Sequence, residues 1–180
     1  IPGIVIGYCA HAGLVDLRLS SLDSDILDDG KLTKIGDQCR EEIGDDFVCF
    51  GDRSLAEVIF RELRSLNQTL AVAESCTGGL LSASFTEISG ISKVFHGGAV
   101  CYHNDAKVQI LEIPEIMLEQ HGAVSEEIAI AMATSACEKF GTDYGLSITG
   151  VAGPTGGTKI MPIGSIYPRQ ERHPARSTGH

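Results

Sequence analysis

Two junctions between a predicted strand and the segment after it carry the residue types that could do chemistry. The first, residues 74–79 (ESCTGG), follows the short apolar run 69–73 and opens a helical stretch. The second, residues 149–158, holds four glycines and a proline after the apolar run 144–149. Ligands of open α/β sheets bind at the carboxyl ends of strands, where free backbone N–H groups attract anions. Each junction therefore indicates a phosphate or carboxylate site. An ordinary turn explains the first junction as well as an anion site does, and it explains the second junction somewhat better.

Serine and lysine residues between these junctions could form a nucleophile and its base. A serine is a weak nucleophile until a base takes its proton, and a lysine removed from water can act as that base. Ser92 lies between the two junctions, and Lys107 is one of only six basic residues from 52 to 157. Tyr102, at the end of a predicted strand, could orient a proton or stack on a flat ring. Without a catalytic role, Lys107 would be a solvated lysine on a helix, and Tyr102 would be an ordinary aromatic residue of a strand.

Cysteine and histidine spacing argues against metal chemistry and against a disulfide framework. The six cysteines are far apart with no C-x-x-C pair, and the six histidines are scattered without zinc-ligand spacing. We therefore expect no metal and no cofactor, reduced thiols and a cytoplasmic location.

Composition and charge narrow the class of protein further. The 180 residues are 43% hydrophobic with a net charge of −10, which predicts one globular domain and part of a second. The acidic balance argues against direct nucleic-acid binding, which needs a basic face. No apolar run approaches the length of a membrane span, so we expect no membrane partner.

The elements that must position these residues form two regions. In residues 1–50, two apolar runs flank Ala12-Gly13 and predict a hairpin, apolar spacing predicts a helix over 31–44, and 47–50 is a strand candidate, giving a partial α+β segment. From residue 51 onward, strands alternate with helices, which predicts an α/β/α sandwich. The predicted helices there are 55–67 (with a capping box of Ser54 and Glu57), 80–88, 104–111, 114–120 and 125–140, and the predicted strands are 69–73, 94–102, 144–149 and 163–167.

The C-terminal stretch differs from the body. The last 23 residues carry four basic residues and one acidic residue, and no apolar periodicity follows Pro168. We therefore expect 168–180 to be a disordered or divergent tail. Because the chain begins at Ile1, it looks like an excerpt of a longer protein.

Three sequence segments resemble one known family, in the same order and with the same spacing. They are AVAESCTGGLLSASFTEISGISKVFHGGAVCYHNDAKVQILEIP, HGAVSEEIAIAMATSA and SITGVAGPTGG. Together they resemble the C-terminal domain of the competence/damage-inducible CinA family, whose stand-alone relatives are nicotinamide-nucleotide amidases. The likeness covers residues 51–167, and residues 1–50 resemble the end of the upstream region of full-length CinA proteins.

The resemblance implies an α/β/α fold and a homo-oligomeric, metal-independent amidohydrolase of pyridine-nucleotide salvage, converting nicotinamide mononucleotide and water to nicotinate mononucleotide and ammonia. It implies Ser92 as the nucleophile, Lys107 as its base and Tyr102 as an assisting residue. Ser75 is kept as the alternative nucleophile. The substrate-binding residues it implies are Ser75, Thr77, Gly78, Gly79, Thr149, Gly150 and Gly153.

A second hypothesis is a non-catalytic competence/damage-inducible interaction module. The family continues beyond residue 167 with further strand and helix and an arginine of the site, whereas Arg169, Arg172 and Arg176 lie in no matching context. A divergent C-terminus would leave such a chain inactive. A third hypothesis makes residues 1–50 an assembly surface, because their apolar strands must be buried somewhere.

Overall fold

The structure is a computed structural model that describes residues 3–11, 13–21, 30–157, 159, 162 and 164–172. It separates into two units, Ile1–Gly51 and Asp52–His180.

The first unit contains a hairpin and a helix, as the sequence predicts. Strand β1 (Ile4–His11) pairs antiparallel with β2 (Leu14–Ser21), in a register from Ile4↔Ser21 to His11↔Leu14. Helix α1 spans Lys31–Ile43 and is followed by a short 3-10 helix, Gly44–Asp46.

The predicted strand at 47–50 is wrong, because these residues have no regular secondary structure. The rings of Phe47 and Phe50 pack against each other with centroids 4.9 Å apart. Residues three apart in a strand point to opposite faces, so this ring contact requires a turned backbone. Short apolar runs of this kind are ambiguous when only local pattern is available.

The second unit is built on a four-stranded sheet in the order β4-β3-β5-β6. Strand β3 pairs in parallel with β4 on one side and with β5 on the other, and β6 runs antiparallel to β5. The elements are α2 (Leu55–Ser65), β3 (Leu70–Glu74), α3 (Leu80–Thr86), β4 (Phe95–Val100), α4 (Asn104–Leu111), α5 (Glu115–His121), α6 (Glu126–Phe140), β5 (Tyr144–Gly150) and β6 (Ile166–Arg172).

Helices cover both faces of this sheet, and alternate residues of β3 show how. Ala71 and Ala73 belong to one core cluster with residues of α4 and α6. Leu70 and Val72 belong to the other, with residues of α2 and α3. Every residue of β3 is buried, as expected of a central parallel strand covered on both sides. The predicted three-layer α/β/α fold is confirmed.

Local signals in the sequence placed most helix ends correctly. Ser54 accepts a hydrogen bond from Glu57 N while the Glu57 side chain accepts one from Ser54 N, so the predicted capping box before α2 is confirmed. Ser125 caps α6 by accepting from Ile128 N, and Gly141 ends that helix with a φ of 63°. These ends depend on neighbouring residues alone, which is why the sequence predicts them.

The expectation of a disordered tail from Pro168 is wrong for residues 168–172, which lie in β6. The strand begins at Ile166, later than the predicted start at Ile163, which lies outside the described residues. Its side chains alternate between exposed and half-buried, so a polar sequence suits it. In the described sheet β6 is an edge strand, where a proline without an N–H is tolerated. Residues 173–180 lie outside the described part of the chain.

Candidate active site at the end of strand β3

The first chemical junction lies at the carboxyl end of the central strand β3. Ser75 follows the last strand residue, and its N–H donates to Ile148 O at 2.9 Å. On the other side, Cys101 N donates to Glu74 O at 2.7 Å. The backbone around Ser75 is therefore fixed between the ends of both neighbouring strands.

The structure brings Ser75 and Lys107 together. Lys107 lies on α4, which follows β4, and its side chain returns over the end of the sheet. Its Nζ lies 3.3 Å from Ser75 Oγ, 3.0 Å from Cys101 O and 3.4 Å from Tyr102 O. Lys107 is 1% exposed and Ser75 is 6% exposed. A buried serine and a buried lysine are thus in contact, although 32 residues separate them in sequence.

Burial lowers the pKa of Lys107 below its ordinary value of 10.5, and this effect outweighs the charges of Cys101 and Cys76, which would raise it. None of the ion pairs among the described residues joins a carboxylate to Lys107. A neutral amine has two N–H donors and one lone pair. The two carbonyl oxygens can take the donors, which leaves the lone pair for the Ser75 hydroxyl proton. This arrangement can activate Ser75 as a nucleophile.

Two backbone N–H groups directly after Ser75 are available to a ligand. Those of Cys76 and Thr77 donate to no backbone or side-chain oxygen in the described part of the chain. Burial raises the pKa of the Cys76 thiol, and the N–H groups of Cys76 and Thr77 act in the opposite direction, which places them beside its sulfur. N–H groups that follow a nucleophilic serine can stabilise the oxyanion formed when a carbonyl is attacked.

Glu74 is a further residue of the site, which the sequence analysis did not single out. It is fully buried. Its Oε1 accepts from Ser82 N (2.7 Å) and Ser82 Oγ (2.6 Å). Its Oε2 accepts from Thr77 Oγ1 (2.7 Å), Gly79 N (3.0 Å) and Leu81 N (3.0 Å). Burial alone would raise the Glu74 pKa, but these hydrogen bonds outweigh burial and hold the pKa below its ordinary value. An acidic residue shortly before a helix was the available signal.

The Glu74 carboxylate takes the groups that the first junction was expected to offer to a phosphate. The Thr77 hydroxyl and the Gly79 N–H both bind Glu74. The Gly78 N–H donates to Ser75 O at 3.1 Å. These three groups are therefore engaged within the chain, and among the N–H groups of Thr77, Gly78 and Gly79 only that of Thr77 donates to no oxygen. The substrate-binding role of the three residues stays a prediction. The helix start is already satisfied by a negative charge of the chain itself.

The structure does not bring Ser92 and Lys107 together, and the role of Ser92 stays a prediction. Ser92 is exposed in a 3-10 helix that precedes β4. The register pairs Leu70 with Phe95 and Glu74 with Val100, so Ser92 lies at the amino end of the strands. The six residues of β4 separate it from the Lys107 end, a length of about 20 Å at about 3.3 Å per residue. Ser75, the alternative nucleophile, is the serine that contacts Lys107.

Tyr102 contacts the site through its backbone carbonyl, and the Thr149 hydroxyl is hydrogen-bonded within the chain. The Tyr102 carbonyl oxygen accepts a hydrogen bond from Lys107 Nζ. Tyr102 itself is 71% exposed and lies at the edge of the site. The buried Thr149 hydroxyl donates its proton to Ala123 O at 2.8 Å, and its role in substrate binding stays a prediction. Gly150 approaches Cys76 so closely that an added Cβ would lie 3.1 Å from the Cys76 sulfur.

The second junction therefore starts beside the first. Val151 N donates to Ser165 O at 2.9 Å. Beyond it, within the described residues, five backbone N–H groups donate no hydrogen bond, those of Ala152, Gly153, Thr155, Gly156 and Gly157. Gly153, a predicted binding residue, has a φ of 85°. This loop therefore offers more N–H groups to a ligand than the first junction, where only those of Cys76 and Thr77 donate to no oxygen.

The described residues form neither a cluster of metal ligands nor a membrane-spanning helix. Residues 3–11, 13–21, 30–157, 159, 162 and 164–172 include no group of three or more His, Cys, Asp or Glu side chains placed to hold a metal ion. Across the same ranges, none of the helices has the length and apolar character needed to cross a membrane.

A three-layer α/β/α fold with a buried serine–lysine contact at the end of its central strand thus defines the second unit. Residues 52–170 match the family model of the CinA C-terminal domain. The chain belongs to the CinA family.

Individual relatives agree with this membership. A CinA-like protein of Kosmotoga olearia is 44% identical over 159 residues, covering 88% of this chain and 39% of the relative. One from Synechococcus sp. is 51% identical over 121 residues, covering 66% and 29%. The competence/damage inducible protein CihA from Agrobacterium tumefaciens has a similar structure, with a TM-score of 0.63 and 37% identity over 65% of this chain and 71% of that one. The chain thus spans about two fifths of the first relative's length.

Proposed function

We propose that this chain is an amidohydrolase that converts nicotinamide mononucleotide and water to nicotinate mononucleotide and ammonia. The observation that carries the proposal is the contact between Lys107 Nζ and Ser75 Oγ, with both residues buried. The N–H groups of Cys76 and Thr77, which donate to no oxygen in the described part of the chain, support it, because acyl transfer needs a nucleophile, a base and oxyanion donors in one place. The substrate follows from the family resemblance.

In the proposed reaction, neutral Lys107 takes the hydroxyl proton of Ser75 as Oγ forms a bond to the carboxamide carbon. The negative charge on the carboxamide oxygen is bound by the N–H groups of Cys76 and Thr77. Protonated Lys107 then donates its proton to the amide nitrogen, the C–N bond breaks and ammonia leaves. Lys107 next takes a proton from water, whose oxygen attacks the Ser75 ester. The carboxylic acid is released and Ser75 recovers its proton.

The substrate's phosphate is assigned to the loop of residues 150–157. The helix-start N–H groups of the first junction bind Glu74, whereas five N–H groups of this loop are free in the described part of the chain. Gly150 brings the loop next to Cys76, and therefore next to the nucleophile. The exposed Tyr102 at the rim offers a surface for the pyridine ring.

Ammonia release from nicotinamide mononucleotide tests the proposal, with free nicotinamide as the comparison substrate. Ser75→Ala and Lys107→Ala should each lower kcat by at least about 10³-fold. Ser89→Ala, at an exposed serine away from β3, is the matched control and should keep full activity. Ser92→Ala decides between the two serines and should also stay active. Full activity of Ser75→Ala together with loss in Ser92→Ala would refute the assignment of Ser75.

The second candidate function is a non-catalytic interaction module. The structural relatives from Agrobacterium tumefaciens and Klebsiella pneumoniae are named competence/damage inducible proteins, the latter at a TM-score of 0.60 and 28% identity over 66% of this chain and 78% of that one. A folded protein without turnover of nicotinamide mononucleotide would favour this candidate.

A further inference from the structure

We propose that Glu74 is a positioning residue, whose carboxylate holds the turn after β3 so that the N–H groups of Cys76 and Thr77 stay open to the substrate's carbonyl oxygen. This inference rests on the proposed function, because it assigns those N–H groups to the reaction of Ser75. Glu74 itself contacts neither the nucleophile nor Lys107 among the described side-chain hydrogen bonds.

The strand geometry directs Glu74 and Ser75 to opposite faces of the sheet. Leu70 and Val72 pack on the α2–α3 side, and Glu74 continues that alternation toward the start of α3. Ser75 points to the other side, where it meets Lys107. A carboxylate at position 74 can thus organise the turn from one face while the hydroxyl reacts on the other.

The start of α3 depends on Glu74 because its own N-cap residue has no side chain. That residue is Gly79, with a φ of 109° and no side-chain cap. In place of a local cap, the Glu74 carboxylate accepts from the N–H groups of Gly79, Leu81 and Ser82. The side chain of Thr77 is held by the same carboxylate.

An accounting of the N–H groups from residue 75 to 82 shows what this arrangement achieves. Those of Ser75, Gly78 and Leu80 donate to backbone carbonyls. Those of residues 79, 81 and 82 donate to Glu74, and residue 83 donates to Gly79 O in the helix. Only the two groups directly after the nucleophile, which lie beside the Cys76 sulfur, donate to no oxygen. Glu74 therefore separates the donors needed for structure from the donors left for the reaction.

A glutamine at this position would have the same size but the wrong hydrogen-bonding groups. Both carboxylate oxygens of Glu74 are surrounded by donors, two at Oε1 and three at Oε2. A glutamine amide has one acceptor oxygen and one NH₂ donor, so in either orientation its NH₂ would face a backbone N–H. The turn would have to shift, and the N–H groups of Cys76 and Thr77 would move with it.

The test compares Glu74→Gln with wild type in two assays, ammonia release and covalent labelling by a fluorophosphonate probe. Labelling needs no nucleotide: Ser75 Oγ bonds to phosphorus, the P–F bond breaks, fluoride leaves and Lys107 takes the hydroxyl proton.

Loss of one oxyanion donor lowers rates by about 10²-fold or more, so we expect Glu74→Gln to show a fall of about this size in both kcat and the labelling rate. We expect the KM of Glu74→Gln to stay within about threefold of the wild-type value. The rate should rise with pH as Lys107 loses its proton, and the midpoint of this rise should be the same in Glu74→Gln and wild type. Glu87→Gln, at an exposed glutamate just after α3, is the matched control.

Each outcome separates the two proposals. A wild type that is labelled on Ser75 but releases no ammonia would overturn the proposed substrate, while the labelling rates would still test Glu74. Labelling of Glu74→Gln at the wild-type rate would overturn the role of Glu74. A slower labelling of Glu74→Gln that is fully accounted for by its unfolded fraction, measured by circular dichroism, would also overturn it. A wild type that is not labelled and releases no ammonia would overturn both. If Glu74→Gln does not fold, Thr77→Val removes one hydrogen bond to the carboxylate and should slow labelling about fivefold; an unchanged rate would overturn the inference.

Discussion

Replacing Lys107 by methionine should make the stability of the second unit respond differently to pH. Methionine has a similar unbranched shape and fills the same buried space without an ionisable group. Lys107 is 1% exposed, and burial lowers its pKa below 10.5. The unfolded chain therefore keeps a proton on Lys107 over a pH range in which the folded chain has lost it.

The sign and size of the effect follow from this difference in bound protons. At a pH below the pKa of Lys107 in the folded state, Lys107 is protonated in the folded and in the unfolded chain. In this range the buried charge destabilises the fold by its full amount, which does not change with pH. Between that pKa and 10.5, the unfolded state binds the extra proton. The free energy of unfolding of wild type then rises with pH, by about 1.4 kcal/mol per pH unit at most, relative to Lys107→Met.

Urea unfolding of wild type and Lys107→Met between about pH 6 and about pH 8 measures this difference. The upper limit stays below the ordinary thiol pKa of 9.0, which burial of Cys76 and Cys101 raises further in the folded state. Lys93→Met, at an exposed lysine, is the matched control and should give a difference that does not change with pH. A flat difference for Lys107→Met would mean that folded Lys107 keeps its proton throughout, and would refute its role as a general base near neutral pH.

Two further predictions concern the stability of the same unit. Ser54→Ala removes the capping box before α2 and should lower the free energy of unfolding by about 1 kcal/mol, measured by urea titration; no change would contradict the cap. Gly145→Ala adds a Cβ that would lie 1.9 Å from Ala133 O, so a loss of about 3 kcal/mol and a lower melting temperature are expected, and a wild-type melting temperature would show that β5 and α6 can separate at little cost.

Most of the second unit's secondary structure was predictable because its signals are local. The capping residue Ser54, the stop at Gly141 and the apolar spacing between them depend on residues a few positions apart. The prediction of secondary structure was wrong where tertiary packing, not local sequence, sets the conformation. The polar strand β6 needs β5 as its partner, and the apolar run 47–50 is turned by contact between Phe47 and Phe50.

The candidate site was predictable only in part. Position 75 stands out in the sequence as a residue between a strand and a glycine turn, and Lys107 stands out as a rare cation. Their contact was not visible, and the resemblance favoured Ser92. The parallel register settles the geometry, because it brings the carboxyl ends of β3 and β4 together and leaves Ser92 at the other end.

The alternation of strands and helices, the acidic character and the two glycine junctions follow from the amino-acid sequence without knowledge of the fold. Tertiary structure alone decided which serine meets Lys107, and that Glu74 occupies the start of α3 where a phosphate was expected. The physical reason is that periodicity and capping report the surroundings of neighbouring residues. Contacts between residues 32 positions apart depend on strand register and on the sheet face to which each side chain points.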